Sequence, residues 1–156
     1  MMKPGDLQSE MATDSDYLES IGRAIYRWAQ MEWAIVYLVE ELHPDSHRVQ
    51  RSASMTSAHL ARQLRSALDE TKVSDSAYTD ARSISSEYVE LLARRNDIVH
   101  AHPATITGDQ RLHRVRADGT HERIELDDLV AFSGDCAELG NRASALLWAL
   151  RRGDAR

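Results

Sequence analysis

Between Tyr17 and Leu42, apolar side chains return every third or fourth residue, at Leu18, Ile21, Ile25, Trp28, Ile35, Val39 and Leu42. That step matches the turn of an α-helix and lines up one continuous apolar stripe along it. A strand cannot carry the pattern, because its alternate side chains point to opposite faces. A helix this long with one apolar side is stable only when other elements cover that side, so the chain is committed to a mostly helical domain. His43-Pro44 closes the helix, since proline disfavours helical geometry in the residue before it. The stripe leaves one exception, Glu32, where an apolar side chain is due.

The same reading extends along the chain. Met55, Leu60, Leu64, Ala67 and Leu68 predict a shorter second helix. Ala77, Ala81, Ile84, Tyr88, Leu91 and Ile98 predict a third that runs to His102 ahead of Pro103, and its register also falls on a charge, Arg95. The period then changes. Leu112, Arg114 and Arg116 alternate with His113 and Val115, and Ala117-Asp118-Gly119-Thr120 has turn chemistry, so Thr105 to Leu126 predicts a small β-hairpin. Glu125, Asp127 and Asp128 suit the positive start of a last helix that reaches about Arg152, with Leu129, Phe132 or Ser133, Cys136, Gly140, Ala143, Leu147 and Leu150 as its stripe. Gly140 and Ala143 permit close helix approach. The expected fold is all-α, an antiparallel four-helix bundle with a small β-hairpin insertion before the last helix. At 156 residues the chain suits one core, with a single domain over residues 14–152 and tails at 1–13 and 153–156.

Several function classes drop out. One cysteine, Cys136, excludes an internal disulfide framework and a thiolate zinc cluster; it sits on an apolar stripe as a small buried residue. No apolar run is long enough to cross a bilayer, and the first residues lack the apolar middle of a secretory signal, so a cytoplasmic protein with no membrane partner is expected. There is no glycine-rich phosphate loop, no Gly-x-Ser-x-Gly elbow and no His-Glu-x-x-His. His100 and His102 supply two potential metal ligands, but they diverge on a helix and no third is placed, so no metal or other cofactor is expected. A net charge of −6 argues against a protein that coats nucleic acid through its total charge. Locally, however, Ser46 to Leu68 carries Arg48, Arg51, Arg62 and Arg65 with no acid, which is either a solvated face or a phosphate-facing patch.

The informative segment is Arg94-Arg95-Asn96-Asp97-Ile98-Val99-His100. An Arg on a buried stripe is followed at once by Asn and, after four intervening residues, by His. This resembles the Arg, four to six residues, His motif of the HEPN superfamily, helical-bundle proteins that include many ribonucleases of toxin–antitoxin, phage-defence and RNA-processing systems. The long first helix with Trp28, Glu32 and Trp33 also looks like bacterial members. The likeness covers Tyr17 to Arg152 in architecture and Arg95 to His100 at the level of a motif. It implies a homodimer with a composite site and RNA as substrate. A cognate antitoxin or other regulatory protein is a further partner of the toxin reading.

Elementary geometry leads to the same assembly. Five helical steps leave Arg95 and His100 roughly 140° and about 7.5 Å apart, so one helix does not easily converge both on one phosphate. Two copies meeting across a two-fold axis can. A neutral imidazole is suited to take a proton from a ribose 2′-hydroxyl or to return one to the departing 5′-oxygen, while Arg95 holds the charge developing on the phosphate. Asn96 would contact RNA or orient a neighbour, Asp97 would fix the tautomer of His100, and Arg94 would guide RNA. His102 also fits the motif's wider spacing and competes with His100.

Blander readings stand beside these. Arg95 and Glu32 are stripe exceptions of opposite sign and would satisfy each other as a buried ion pair, with Glu32 then holding the Arg in place. His100 would serve merely as a helix-end cation. Tyr88, Trp28 and Trp33 read as packing residues. The alternative to a metal-independent endoribonuclease is a noncatalytic helical RNA- or protein-binding module in which the motif survives as structure. A nucleotide-binding bundle is weaker still, for want of a phosphate cradle.

Overall fold

The computed structural model describes residues 14–43, 56–106 and 109–155. Helices α1 (Ser15–Leu42), α2 (Ser57–Glu70), α3 (Asp75–Val99) and α4 (Leu126–Arg152) dominate it, with strands β1 (His102–Ile106), β2 (Asp109–Val115) and β3 (His121–Arg123) between α3 and α4. The expected tail at residues 1–13 and the patch residues Arg48 and Arg51 lie outside the described residues. Among the described residues no helix is long and apolar enough to cross a membrane.

Local chemistry sets the helix ends. Asp14, Thr56 and Ser74 each precede a helix in extended conformation and accept a hydrogen bond from a backbone N–H of its first turn. Glu125 and Asp128 form a reciprocal capping box on α4, whose far end closes on Gly153 at φ 82°, a left-handed conformation that favours glycine. Residues 153–155 are not a loose tail: Ala155 is buried and its carbonyl accepts from the Ser74 N–H at 3.1 Å.

The principal helix pair is α1 on α4. At their crossing a Cβ built on Gly140 would stand 3.3 Å from Met31 Cα, so the small residue read as a close-approach site is one. This contact decides which side of α1 is covered. Tyr17, Ala24, Trp28, Met31, Ile35, Leu38, Val39 and Leu42 are buried, whereas Leu18 and Ile25, expected on the core stripe, are 54% and 38% exposed. The helix has two apolar faces, and its periodicity alone does not say which one α4 takes. Glu32, half-buried, borders the covered side.

The expected hairpin is a three-stranded antiparallel sheet in the order β1-β2-β3, with His102 paired to His113 and His113 to Arg123. Helix α3 stops at Val99 rather than His102, and His100 is its C-cap. Pro103 imposes extended geometry on His102, which starts a strand instead of ending a helix. The sheet is pinned to the start of α1 by Tyr17, whose hydroxyl donates to the Ile124 carbonyl at 2.7 Å and accepts from the Leu112 N–H at 3.1 Å. Arg111 stacks on the Tyr17 ring at 4.5 Å and pairs with Asp14 at 2.8 Å.

Because the Gly140 contact is with backbone, Gly140→Val is expected to destabilise the fold by about 2 kcal/mol through overpacking. Gly134→Ala, where a Cβ meets nothing within 4 Å, is expected to be neutral or to stabilise by up to about 1 kcal/mol. Urea titrations of both variants check the pair.

Candidate functional site

The two charged exceptions of the apolar stripes meet through intermediaries. Tyr88 of α3 is fully buried, and its hydroxyl donates to Glu32 Oε1 at 2.8 Å, with the Ser57 carbonyl oxygen at 3.3 Å. Burial first, and then the negative charge of Glu32, raise the Tyr88 pKa well above the ordinary phenol value, so the hydroxyl remains a donor. Arg95, half-buried, directs Nη2 to Ser57 Oγ at 2.6 Å and sets its guanidinium 5.2 Å from the Trp28 ring centroid. Its Nε is buried with no hydrogen-bond partner. Among the described residues Glu32 and Arg95 form no direct ion pair; Ser57 and Tyr88 stand between them in its place.

An aromatic stack holds this network. Trp28 stacks with Tyr88 at 5.5 Å and with Phe132 at 6.2 Å, the planes within 16° of each other. Arg94 lies 5.4 Å over the Phe132 ring and is ion-paired with Asp135 of α4, so it ties α3 to α4 rather than standing as an unengaged cation. On α2, Arg62 and Arg65 are exposed, and Arg62 lies 3.5 Å from the His59 ring nitrogen.

At the end of α3, the His100 side chain is exposed, and the backbone N–H of His100 donates to the Asn96 carbonyl at 3.0 Å. Asn96 is exposed one turn earlier. Asp97 does not reach His100: it is ion-paired with Arg114 of β2, which Glu122 also holds at 2.6 Å. Arg95 is engaged with Ser57 and Trp28, whereas His100 is exposed at the end of the helix, and no contact joins the two among the described residues.

His102, exposed at the start of β1, has two histidine neighbours, His113 at 6.4 Å and His121 at 5.7 Å between ring centroids. His113 is buried with both ring nitrogens unpartnered. Burial, followed by the nearby His102, His121 and Arg123, lowers its pKa and favours the neutral ring. The additional histidines do not complete a ligand set: among the described residues no group of three or more His, Cys, Asp or Glu is arranged to hold a metal ion.

Ser57, Arg114, His113 and His121 escape a periodicity argument, because each acquires its role from a different element. The strongest available signal was the paired exceptions Glu32 and Arg95, which point to one another without revealing what lies between.

Two outcomes follow from these environments. Tyr88→Phe removes the donor to Glu32 and is expected to cost about 1–3 kcal/mol, read as a lower urea midpoint. Burial holds the His113 pKa below its ordinary value of 6.5, so above that value the ring is neutral in both folded and unfolded chains and has no effect on the balance. As pH falls through that value the unfolded chain binds a proton that the folded one refuses, and stability is lost. His113→Gln should flatten that part of the dependence of Tm on pH between 7 and 5.

Comparison of the chain with protein-family models, with curated proteins and with solved structures finds no match.

Proposed function

We propose that this chain is a HEPN-like four-helix bundle acting as a homodimeric, metal-independent endoribonuclease, the toxin or defence effector of a pair that includes a restraining antitoxin or regulatory protein. The observation that carries the reading is the state of Arg95. A half-buried guanidinium, oriented by Ser57 and Trp28 and without a carboxylate ion pair among the described residues, is a receptor prepared for an anion. An exposed imidazole, His100, stands at the end of the same helix.

In the proposed reaction a neutral His100 takes the proton of the ribose 2′-hydroxyl. The 2′-oxygen then bonds to phosphorus, and the bond from phosphorus to the 5′-oxygen breaks. The departing oxygen takes a proton from an imidazolium, leaving a 2′,3′-cyclic phosphate and a 5′-hydroxyl end. Arg95 stabilises the charge on the phosphoryl oxygens, and Asn96 and the α2 arginines position the strand. Because Arg95 and His100 diverge within one protomer, the second copy supplies the complementary half of the site. His102 is the competing base.

A second reading has its own support. Arg94, Arg95 and Asp97 are all engaged inside the domain, with Asp135, Ser57 and Arg114, as a noncatalytic binding module would have them. Incubating purified dimer with mixed cellular RNA in excess EDTA, and mapping the new ends, decides between the two. Cleavage with cyclic-phosphate ends, reduced about 100-fold or more in His100→Ala and less in His102→Ala, is the expected result. No cleavage by the folded dimer favours the module, and a requirement for added divalent metal contradicts the mechanism.

A further inference from the structure

His102, His113 and His121 come from three different strands and lie on one face of the sheet. Side chains opposite one another across antiparallel strands share a face, and His113 stands at the centre, opposite His102 on β1 and opposite Arg123 on β3. The His102 ring lies 6.4 Å from that of His113 and 5.7 Å from that of His121, between centroids. His113 is 3% exposed, and neither of its ring nitrogens has a hydrogen-bond partner. A neutral imidazole bears that position at the cost of unmade hydrogen bonds, whereas an imidazolium there would have cationic or cation-forming side chains on both sides.

The surroundings do little to offset a positive charge. Around His113 are His102 from β1, His121 and Arg123 from β3, and Glu125 from the cap of α4. Glu125 is the one acid of this group, and it is ion-paired with Arg123 at 2.8 Å and joined to Asp128 in the α4 capping box. Arg111, two residues along β2 on the same face, is matched by Asp14 from the start of α1. Tyr17 of α1, stacked under Arg111, donates its hydroxyl proton to the Ile124 carbonyl and brings no negative charge. Burial first, and then the neighbouring cations, hold the His113 pKa down.

The two ladders of the sheet are unequal. Between β2 and β3, Arg114 opposite Glu122 is an ion pair at 2.6 Å, the Ile124 N–H donates to the Leu112 carbonyl at 2.8 Å, and Tyr17 bridges Leu112 and Ile124. Leu112 thus turns both its backbone groups away from β1, so Arg111 and His113 are the neighbouring β2 residues that bond to β1. From His102 to Thr105, β1 meets β2 through the pairs His102–His113, Pro103–Leu112, Ala104–Arg111 and Thr105–Gln110. No opposite charges meet in these pairs, and Pro103 has no N–H to give. As the edge strand, β1 is held by this ladder alone.

We propose that β1 is an acid-released strap: when His113 takes a proton, β1 unpairs from β2 while β2, β3 and the helices stay in place. Like charges directly opposite one another act across the ladder that holds β1, whereas the β2–β3 ladder keeps its ion pair. The strap is closed above the ordinary imidazole value of 6.5 and is increasingly released as pH falls below it, because the unpaired ring accepts a proton that the paired one refuses. It begins two residues after His100, so its release lifts the backbone restraint on both candidate imidazoles, His100 and His102. The strap operates whether or not the chain cuts RNA.

Amide hydrogen exchange of the whole chain at pH 7.5 and pH 5.0, expressed as protection relative to an unstructured amide at the same pH, reads the release. The Ala104, Arg111 and His113 amides should lose protection about 5- to 30-fold, the upper figure being the limit for one proton at an ordinary imidazole value. The Arg114 amide and those in the middle of α1 and α4 should keep theirs within about twofold. His113→Gln, which cannot charge, should abolish the loss. Should that variant not fold, His102→Gln, at an exposed position, should at least halve it by removing the opposing cation. No loss in the parent, an equal loss in β1 and the helices, or an undiminished loss in the folded variants overturns the proposal.

Discussion

The packing of Trp28 governs how the rest of the molecule is arranged. Its ring stacks with Tyr88 of α3 and Phe132 of α4, so one side chain of α1 joins three helices. Aromatic stacking adds about 0.5–1.5 kcal/mol beyond area burial for each pair, but its larger effect is positional. With Trp28 in place, Arg95 has a face to lie on and Tyr88 has a line to Glu32. Both charged departures from the apolar pattern are thereby accommodated without placing two opposite charges in direct contact, an arrangement whose desolvation cost can exceed its Coulombic gain.

A second set of contacts connects the sheet to this core. Tyr17 at the start of α1 bonds to both Leu112 and Ile124, and Arg114 of β2 holds Asp97 in the last turn of α3. The sheet is therefore built into the end of the helical layer where His100 and His102 emerge. In the proposed enzyme it fixes the direction in which those imidazoles are presented; in the alternative module it is a structural brace using the same residues.

The four helices were legible because each carries a 3.6-residue apolar repeat, and the last was delimited by its acidic start and its basic end. The limits of that signal are equally specific. Leu18 and Ile25 satisfy the repeat but lie outside the core, since two apolar faces on α1 produce overlapping periodicities and only the Met31–Gly140 approach selects one. The end of α3 was placed too late because Pro103 both stops a helix and permits a strand before it. Glu32 and Arg95 were recognisable as anomalies, yet Ser57 between them was not, for the start of a different helix brings it there. Asp97 looked suited to His100 by helical spacing, but a cation on β2 offers it a stronger partner.

If Arg95 is a phosphate receptor prepared by the fold, then its forked, stacked geometry matters as well as its charge. The most direct measurement is the affinity of a 2′-O-methyl RNA oligonucleotide, which lacks the reactive hydroxyl, for the parent protein and for Arg95→Lys. The account predicts binding by the parent that weakens about tenfold or more in the variant while the fold is retained, since lysine keeps the charge but neither the fork nor the stacking. Equal binding by the two proteins, or none by the parent, would contradict it.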